Sequence, residues 1–187
     1  MSRNTDRLDL SITFQPVNIA VMTVSDSRTA ADDKSGDLLA ARIAEDGHLL
    51  ADRAIITDDV TRITGKLRDW INDPQIDVVV TTGGTGLTGR DSTPEAFAAI
   101  VEKDIPGFGE LFRMLSYEKI GTSTVQSRAL AGVAGGTYLF ALPGSPSACK
   151  DGWDDILRYQ LDIRHRPCNF VELMPRLTES ATTRRSG

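Results

Sequence analysis

The sequence predicts an α/β domain of three layers, α/β/α, with helices on both faces of a mostly parallel sheet. Three observations carry this. Apolar runs too continuous to face water on either side recur at Asn18–Val24 (NIAVMTV), 76–82 (IDVVVTT) and Thr137–Leu142 (TYLFAL), as strands buried on both faces require. Segments with apolar residues at helical spacing stand between such runs. The turns that follow the strands are rich in glycine, threonine and aspartate. Strands alternating with helices mean parallel pairing with helices on both sides.

The elements follow in order. After the first strand, residues 35–46 place Leu38, Leu39, Arg42 and Ile43 at helical spacing, with Ser35 as the expected N-cap and Gly47 just past the end. Residues 49–57 form a weaker strand. Val60, Ile63, Leu67, Trp70 and Ile71 then share one face of a helix that Asp58 or Asp59 caps and Pro74 follows. After the strand at 76–82, Thr93-Pro94-Glu95 opens another helix, with proline at a favoured first position. Pro106, Gly107 and Gly109 interrupt the pattern before a helix over about 108–118. A short strand at 129–133 and the buried strand at Thr137–Leu142 come next. Pro143-Gly144-Ser145-Pro146 turns into a last helix, with Ser145 as N-cap and Cys149, Trp153, Ile156 and Leu157 on its buried face.

The 187 residues suffice for one domain with a proper core. That domain is expected over 14–174, between a loose polar segment at 1–13 and a frayed tail at 175–187. No apolar run approaches the roughly 20 residues that span a bilayer, and the polar N-terminus lacks a secretory h-region. No membrane association is expected, and the expected compartment is the cytoplasm. The net charge of −5 comes without a basic stripe, which argues against nucleic acid as a partner. Cys149 and Cys168 have no metal-ligand spacing, and only two histidines accompany them, which argues against a Cys/His zinc site. His48 and His165 stand outside the glycine-bearing turns, so no serine- or cysteine-type hydrolase is indicated.

Ligands of such sheets collect at the carboxyl ends of the strands, where strand order reverses. Four strand ends hold notable residues: Thr23-Val24-Ser25-Asp26, Thr57-Asp58-Asp59, Thr82-Gly83-Gly84-Thr85-Gly86 through Arg90 and Asp91, and Pro143-Gly144-Ser145-Pro146. Gly84 to Gly89 matches G-x-G-x-x-G. A dinucleotide site, however, needs a helix directly after it and an acid at the end of the next strand, about 20 residues on. Pro94 delays the helix, and no convincing strand follows until about residue 130. The lysine of a P-loop is also absent. The remaining reading is a phosphate cradle of another type, built from successive N–H groups near a helix start and from the donors of Thr85, Thr88 and Arg90. Asp58 and Asp91 sit at the ends of successive strands. They can serve as a helix cap and a turn residue, or as two carboxylates for a Mg²⁺ that takes its other ligands from water and phosphate.

The residues 81–86 (TTGGTG), Arg90-Asp91-x-Thr93-Pro94-Glu95 and Pro143-Gly144-Ser145-Pro146 resemble the MoaB/MogA family of molybdenum-cofactor biosynthesis. Ser116-Tyr117-Glu118, Gly121 to Thr124, Gln126-Ser127-Arg128 and the run 166–170 (RPCNF) resemble its MoaB branch. The resemblance runs from about 18 to 170. It implies a MogA-like fold and homo-oligomers, trimers or hexamers. It also implies binding of molybdopterin, whose terminal phosphate attacks the α-phosphorus of ATP to give adenylyl-molybdopterin and pyrophosphate; the product then goes to a metal-insertion protein. Carried onto this chain, Asp58 and Asp91 match the family's two acids, acting as catalytic groups through Mg²⁺. Ser25, Asp26, Thr82, Gly83, Gly84, Thr85, Gly86, Arg90, Gly144 and Ser145 fall where substrate contacts are expected. Thr57 stands where active members often have proline. The MoaB branch also includes an alternative role, a non-catalytic molybdopterin binder or scaffold of the same pathway.

Overall fold

The computed structural model describes residues 7–179. Its strands β1 (Asn18–Val24), β2 (Leu49–Ile56), β3 (Val78–Thr82), β4 (Lys103–Asp104), β5 (Leu130–Ala134) and β6 (Thr137–Leu142) form one sheet in the order β2-β1-β3-β6-β5-β4. The first four in that order run parallel, and β5 and β4 add an antiparallel edge. From β1 the chain steps outward to β2, then returns to the other side of β1 as β3. The strand order therefore reverses between β1 and β3, and the carboxyl ends of those two strands lie side by side.

Alternation assigns the faces. Ile19 and Val21 of β1, with Val78, Val80, Phe140 and Leu142, pack against Leu39 and Ile43 of α1 (Lys34–Glu45) and against Cys149 and Trp153. Ala20, Met22 and Val24, with Val79, Leu139 and Ala141, pack against Ile63, Leu67 and Trp70 of α2 (Val60–Ile71) and against Phe97 of α3 (Thr93–Ala98). Two cores back to back explain why β1, β3 and β6 are nearly continuous apolar runs, and the expected three-layer architecture holds. Among the described residues no helix is long and apolar enough to cross a membrane.

Tertiary contacts revise several local expectations. The cap of α1 is Asp33, not Ser35. Its fully buried carboxylate accepts from Gly36 N (3.0 Å), Thr23 Oγ1 (2.7 Å) and Arg53 Nη2 (2.8 Å). Ser35 lies inside the first turn and donates to the Gly144 carbonyl at 2.8 Å. Helix α4 (Pro106–Ile120) starts two residues earlier than expected, with proline at its first turn. Its Gly109 is needed there, because a Cβ would stand 2.5 Å from the Ala129 carbonyl oxygen. A six-residue 3₁₀ stretch, Gly121–Gln126, follows it. Strand β4 was not expected, since Lys103-Asp104 is too short and polar to show a pattern. Gly135 and Gly136, both at positive φ, close the β5–β6 hairpin. Ser145 is the N-cap of α5 (Pro146–Gly152), as expected, and accepts from Ala148 N at 3.2 Å; α5 continues through a π-helical turn at Trp153–Leu157.

Contacts with the domain expected over 14–174 also involve residues on both sides of it. Asp9 N donates to Arg164 O (2.8 Å) and Arg166 N to Arg7 O (2.9 Å). At the other end, Leu177 packs on the core and Arg176 pairs with Glu179 at 2.9 Å. The rest of both expected loose segments, 1–6 and 180–187, lies outside the described residues.

Two stability predictions arise here. Burial by itself raises the Asp33 carboxyl, but Arg53, Thr23 and the Gly36 N–H outweigh it and hold the pKa below the ordinary 3.8. A folded pKa below the unfolded one contributes stability that is complete above the unfolded value and is lost as pH falls through the folded one. Arg53→Ala is therefore expected to cost about 2–3 kcal/mol at pH 7 and distinctly less near pH 3, read from urea midpoints at the two pH values. Asp59, whose carboxylate accepts from Arg62 N at 2.9 Å, is the cap of α2. Asp59→Ala is expected to lower stability by about 1 kcal/mol without affecting the ligand site, which a thermal melt and a binding titration check together.

Candidate functional site

The strand ends meet in a cleft of about 700 Å³ at the reversal between β1 and β3. Its floor is the loop after β3. Gly83 and Gly84 take positive φ (100° and 65°), and the loop is pinned from below: Gly83 N donates to Leu142 O (3.0 Å), Thr93 Oγ1 to Gly83 O (2.8 Å) and Thr93 N to Gly84 O (3.0 Å). The backbone N–H groups of Gly84 and Thr85 donate to no protein acceptor among the described residues. The turn after β6 closes on this loop glycine to glycine: a Cβ on Gly144 would lie 3.3 Å from the Gly83 Cα.

Both acids press on the loop from its two sides. Asp58, no longer a cap, uses Oδ1 to accept from the N–H (2.9 Å) and hydroxyl of Ser92. Its Oδ2 would lie 2.8 Å from a Cβ on Gly84. Asp91 accepts from Thr88 N (2.8 Å) and Thr88 Oγ1 (2.7 Å) through Oδ2, and that oxygen would lie 2.7 Å from a Cβ on Gly86. Side chains at 84 and 86 would thus fill the space the carboxylates occupy. The Thr88 hydroxyl is the main cause that holds the Asp91 carboxyl below its ordinary pKa, so it is ionised at neutral pH.

Ser25, Asp58, Gly83, Gly84, Thr85, Gly86, Asp91, Gly144 and Ser145 all line the cleft. Three other expected contact residues do not. Thr82 is fully buried; its hydroxyl donates to Pro143 O (2.9 Å) and meets Cys149 Sγ (3.0 Å), so it ties the two turns together from beneath. Burial pushes that thiol up to about 11, which leaves it unreactive near neutral pH. Arg90 turns aside to Asp26, with Nη2 and Nε at 2.6 and 3.0 Å from Oδ2, and Asp26 Oδ1 accepts from Asp58 N at 3.0 Å. That pair braces the first acid's backbone instead of facing the cavity.

Residues 20–163 match the family described as a probable molybdopterin binding domain. The Molybdenum cofactor biosynthesis protein B of Escherichia coli (strain K12) is 48% identical over 161 residues, 86% of this chain and 95% of that protein. A crystal structure of Molybdenum cofactor biosynthesis protein B is similar with a TM-score of 0.77 at 40% identity, over 79% of this chain and 92% of that one. The structure of the tungsten cofactor synthesizing protein MoaB from Pyrococcus furiosus is similar at 0.68 and 38% identity, over 76% and 91%.

The chain belongs to the MoaB/MogA family of molybdenum cofactor biosynthesis proteins.

Within this MoaB/MogA protein, part of the site has no local signature in the sequence. Arg128 holds the whole loop from behind: Nε donates to Gly86 O (2.7 Å), Nη2 to Asp91 O (2.8 Å), and Nη1 pairs with Glu95. Arg28 Nη2 donates to Gly144 O at 2.9 Å, which steadies the opposite turn. The far wall of the cleft comes from α4 and the 3₁₀ stretch after it, with Ser116, Lys119, Ser123 and Gln126. In the sequence, Arg128 and Ser116 are visible only as parts of the motifs that resemble the MoaB branch.

Proposed function

We propose that this protein binds molybdopterin in the cleft and adenylylates its terminal phosphate with Mg-ATP. One observation carries this reading: two carboxylates from separate strand ends, Asp58 and Asp91, converge on one glycine loop whose Gly84 and Thr85 amides are open. In the reaction, an oxygen of the pterin phosphate attacks the α-phosphorus of ATP. The bond from that phosphorus to the β-bridging oxygen breaks, and pyrophosphate leaves with the bond's electron pair. Such chemistry is mostly positioning and charge stabilisation. The loop amides and Ser145 hold phosphate oxygens, and Ser25 bounds the other side of the cleft.

The donor set suits Mg²⁺. Among the described residues Asp58 Oδ2 accepts no hydrogen bond, the Asp91 carboxylate is held by Thr88 and the Gly86 backbone, and no group of three ligating side chains gathers. Two carboxylates with the rest of the shell from water and phosphate is the usual Mg²⁺ arrangement. When bound, the ion would offset the negative charge of the approaching phosphates.

The test is purified protein with molybdopterin, Mg²⁺ and ATP, followed for adenylyl-molybdopterin. Product formation is the expected result; pterin binding without product would leave the non-catalytic binder. One observation favours that second reading, the turn of Arg90 away from the cleft to Asp26.

The reading extends to the setting. Two free cysteines suit the cytoplasm, and the product would pass to a metal-insertion protein. Leu111, Met114, Tyr117 and Ile120 lie exposed along α4, and we assign the homo-oligomer contact to that face. Met114→Glu is expected to lower the mass seen by light scattering, from a trimer or hexamer toward the monomer.

A further inference from the structure

The phosphate half of the cleft, at the glycine loop, leaves the far half without a role. There Lys119 of α4 and Asp151 of α5 both line the cavity and form an ion pair, Nζ to Oδ1 at 2.6 Å. Lys119 is also held by Asp155 Oδ2 at 3.1 Å, and Asp155 does not line the cleft. The lysine therefore keeps a counter-charge even when Asp151 is engaged elsewhere. Asp151 Oδ2 carries no protein hydrogen bond among the described residues, and the side chain is only 22% exposed. The hydroxyls of Ser116 and Ser123 line the cavity nearby.

We propose that Lys119 and Asp151 are the specificity residues of the cleft, recognising the 2-amino-4-oxo-pyrimidine edge of the pterin. The inference rests on molybdopterin being the ligand of this cleft. That edge presents a carbonyl acceptor beside two adjacent N–H donors. A carboxylate matches the two donors, and the ammonium beside it matches the carbonyl. Adenine offers the carboxylate a single amino donor at the corresponding edge, with a ring acceptor beside it, so it makes fewer charge-assisted bonds. Lys119 has its pKa raised, first by the Asp151 contact and also by Asp155, so it remains a cation through the neutral range. The subsite is built from α4 and α5, whereas Asp58 and Asp91 come from the loops after β2 and β3, so different elements carry recognition of the ring and the chemistry at the phosphate.

The experiment measures dissociation constants on the full chain for molybdopterin and, separately, for Mg-ATP. It is repeated for Asp151→Asn, Lys119→Met and, as a control, Asp155→Asn. Asp151→Asn is expected to weaken molybdopterin binding about 10- to 100-fold, the loss of a charge-assisted hydrogen-bond pair, with Mg-ATP binding and the melting temperature little changed. Lys119→Met is expected to weaken it less, and Asp155→Asn hardly at all. A second probe pair isolates the edge: 6-(phosphomethyl)pterin against 6-(phosphomethyl)lumazine, which has an oxo group in place of the 2-amino group. The parent protein is expected to prefer the pterin by at least about 10-fold, and Asp151→Asn to lose that preference. Parent-like molybdopterin affinity in Asp151→Asn overturns the subsite while leaving the cleft's function standing. So does a loss confined to Mg-ATP, which would place adenine there. Failure of the parent to bind molybdopterin at all is a different result, and overturns the functional reading beneath it.

Discussion

Asp91→Asn is expected to lower adenylyl transfer by about 100- to 1,000-fold while the protein keeps its fold and its affinity for molybdopterin. The substitution is nearly isosteric, and the amide oxygen still accepts from Thr88 N–H and Thr88 Oγ1, the two bonds that shape the turn. What disappears is the charge. An ionised carboxylate that presses on Gly86 is the group able to share a Mg²⁺ and order the reacting phosphates. The check is kcat from product formation beside a dissociation constant for molybdopterin and a melting curve. Parent-like turnover would remove Asp91 from the chemistry and leave Asp58 as the sole acid to test.

Gly83→Ala is expected to cost about 3–5 kcal/mol, a large part of the roughly 5–15 kcal/mol a domain of this kind has to lose. The residue sits at φ 100°, where an L side chain is strained. A Cβ there would also overlap the Val24 carbonyl oxygen, which belongs to a buried central strand and cannot move aside. The position is sandwiched further by Gly144. Gly89, six residues on in the same loop, has open space around the site of a Cβ and no positive φ, so Gly89→Ala should be close to neutral. Urea midpoints of the two variants against the parent decide it. Equal midpoints for Gly83→Ala and the parent would mean the loop relaxes at little cost, and the close packing of the two turns would lose its meaning as the cleft's foundation.

The two variants separate what a loop glycine does from what a loop acid does. The glycine sets the shape, and its loss is read in stability. The acid sets the charge, and its loss is read in turnover.

Legibility in the sequence varied element by element, for identifiable reasons. Strands β1, β3 and β6 were plain because burial on both faces leaves apolar residues and threonine everywhere in them but at Asn18, the partly exposed first residue of β1. Ser145 was plain as a cap because the bond it makes, to Ala148 N, is three residues away. Asp33 was not, although it makes the same kind of bond to Gly36. Ser35 is an equally good cap by type, and what decides between them is Arg53, twenty residues on and one strand over. Asp58 and Asp59 posed the same ambiguity, and Ser92, 34 positions away, resolved it by taking the Asp58 carboxylate. Strand β4 had no signal at all, since two polar residues at a sheet edge show no alternation. Arg90 has a partner that its local sequence does not show. Its place beside a phosphate-type loop suggested an anion contact, but Asp26 offers a carboxylate within reach.

The sequence by itself determined that this is a three-layer α/β protein with a glycine loop and two acids at the ends of its strands, and its motifs placed it in the MoaB/MogA family. Those features depend on local pattern, on the periods of burial and on the residue types that turns demand, all of which neighbouring residues record. Only the tertiary structure decided which of the expected residues face the cleft, that Thr82 and the Asp26–Arg90 pair brace it instead, and that Arg128, Lys119 and Asp151 complete it. Those choices are made by pairings between residues tens of positions apart, where charge and hydrogen-bond partners meet only after the strands are in order.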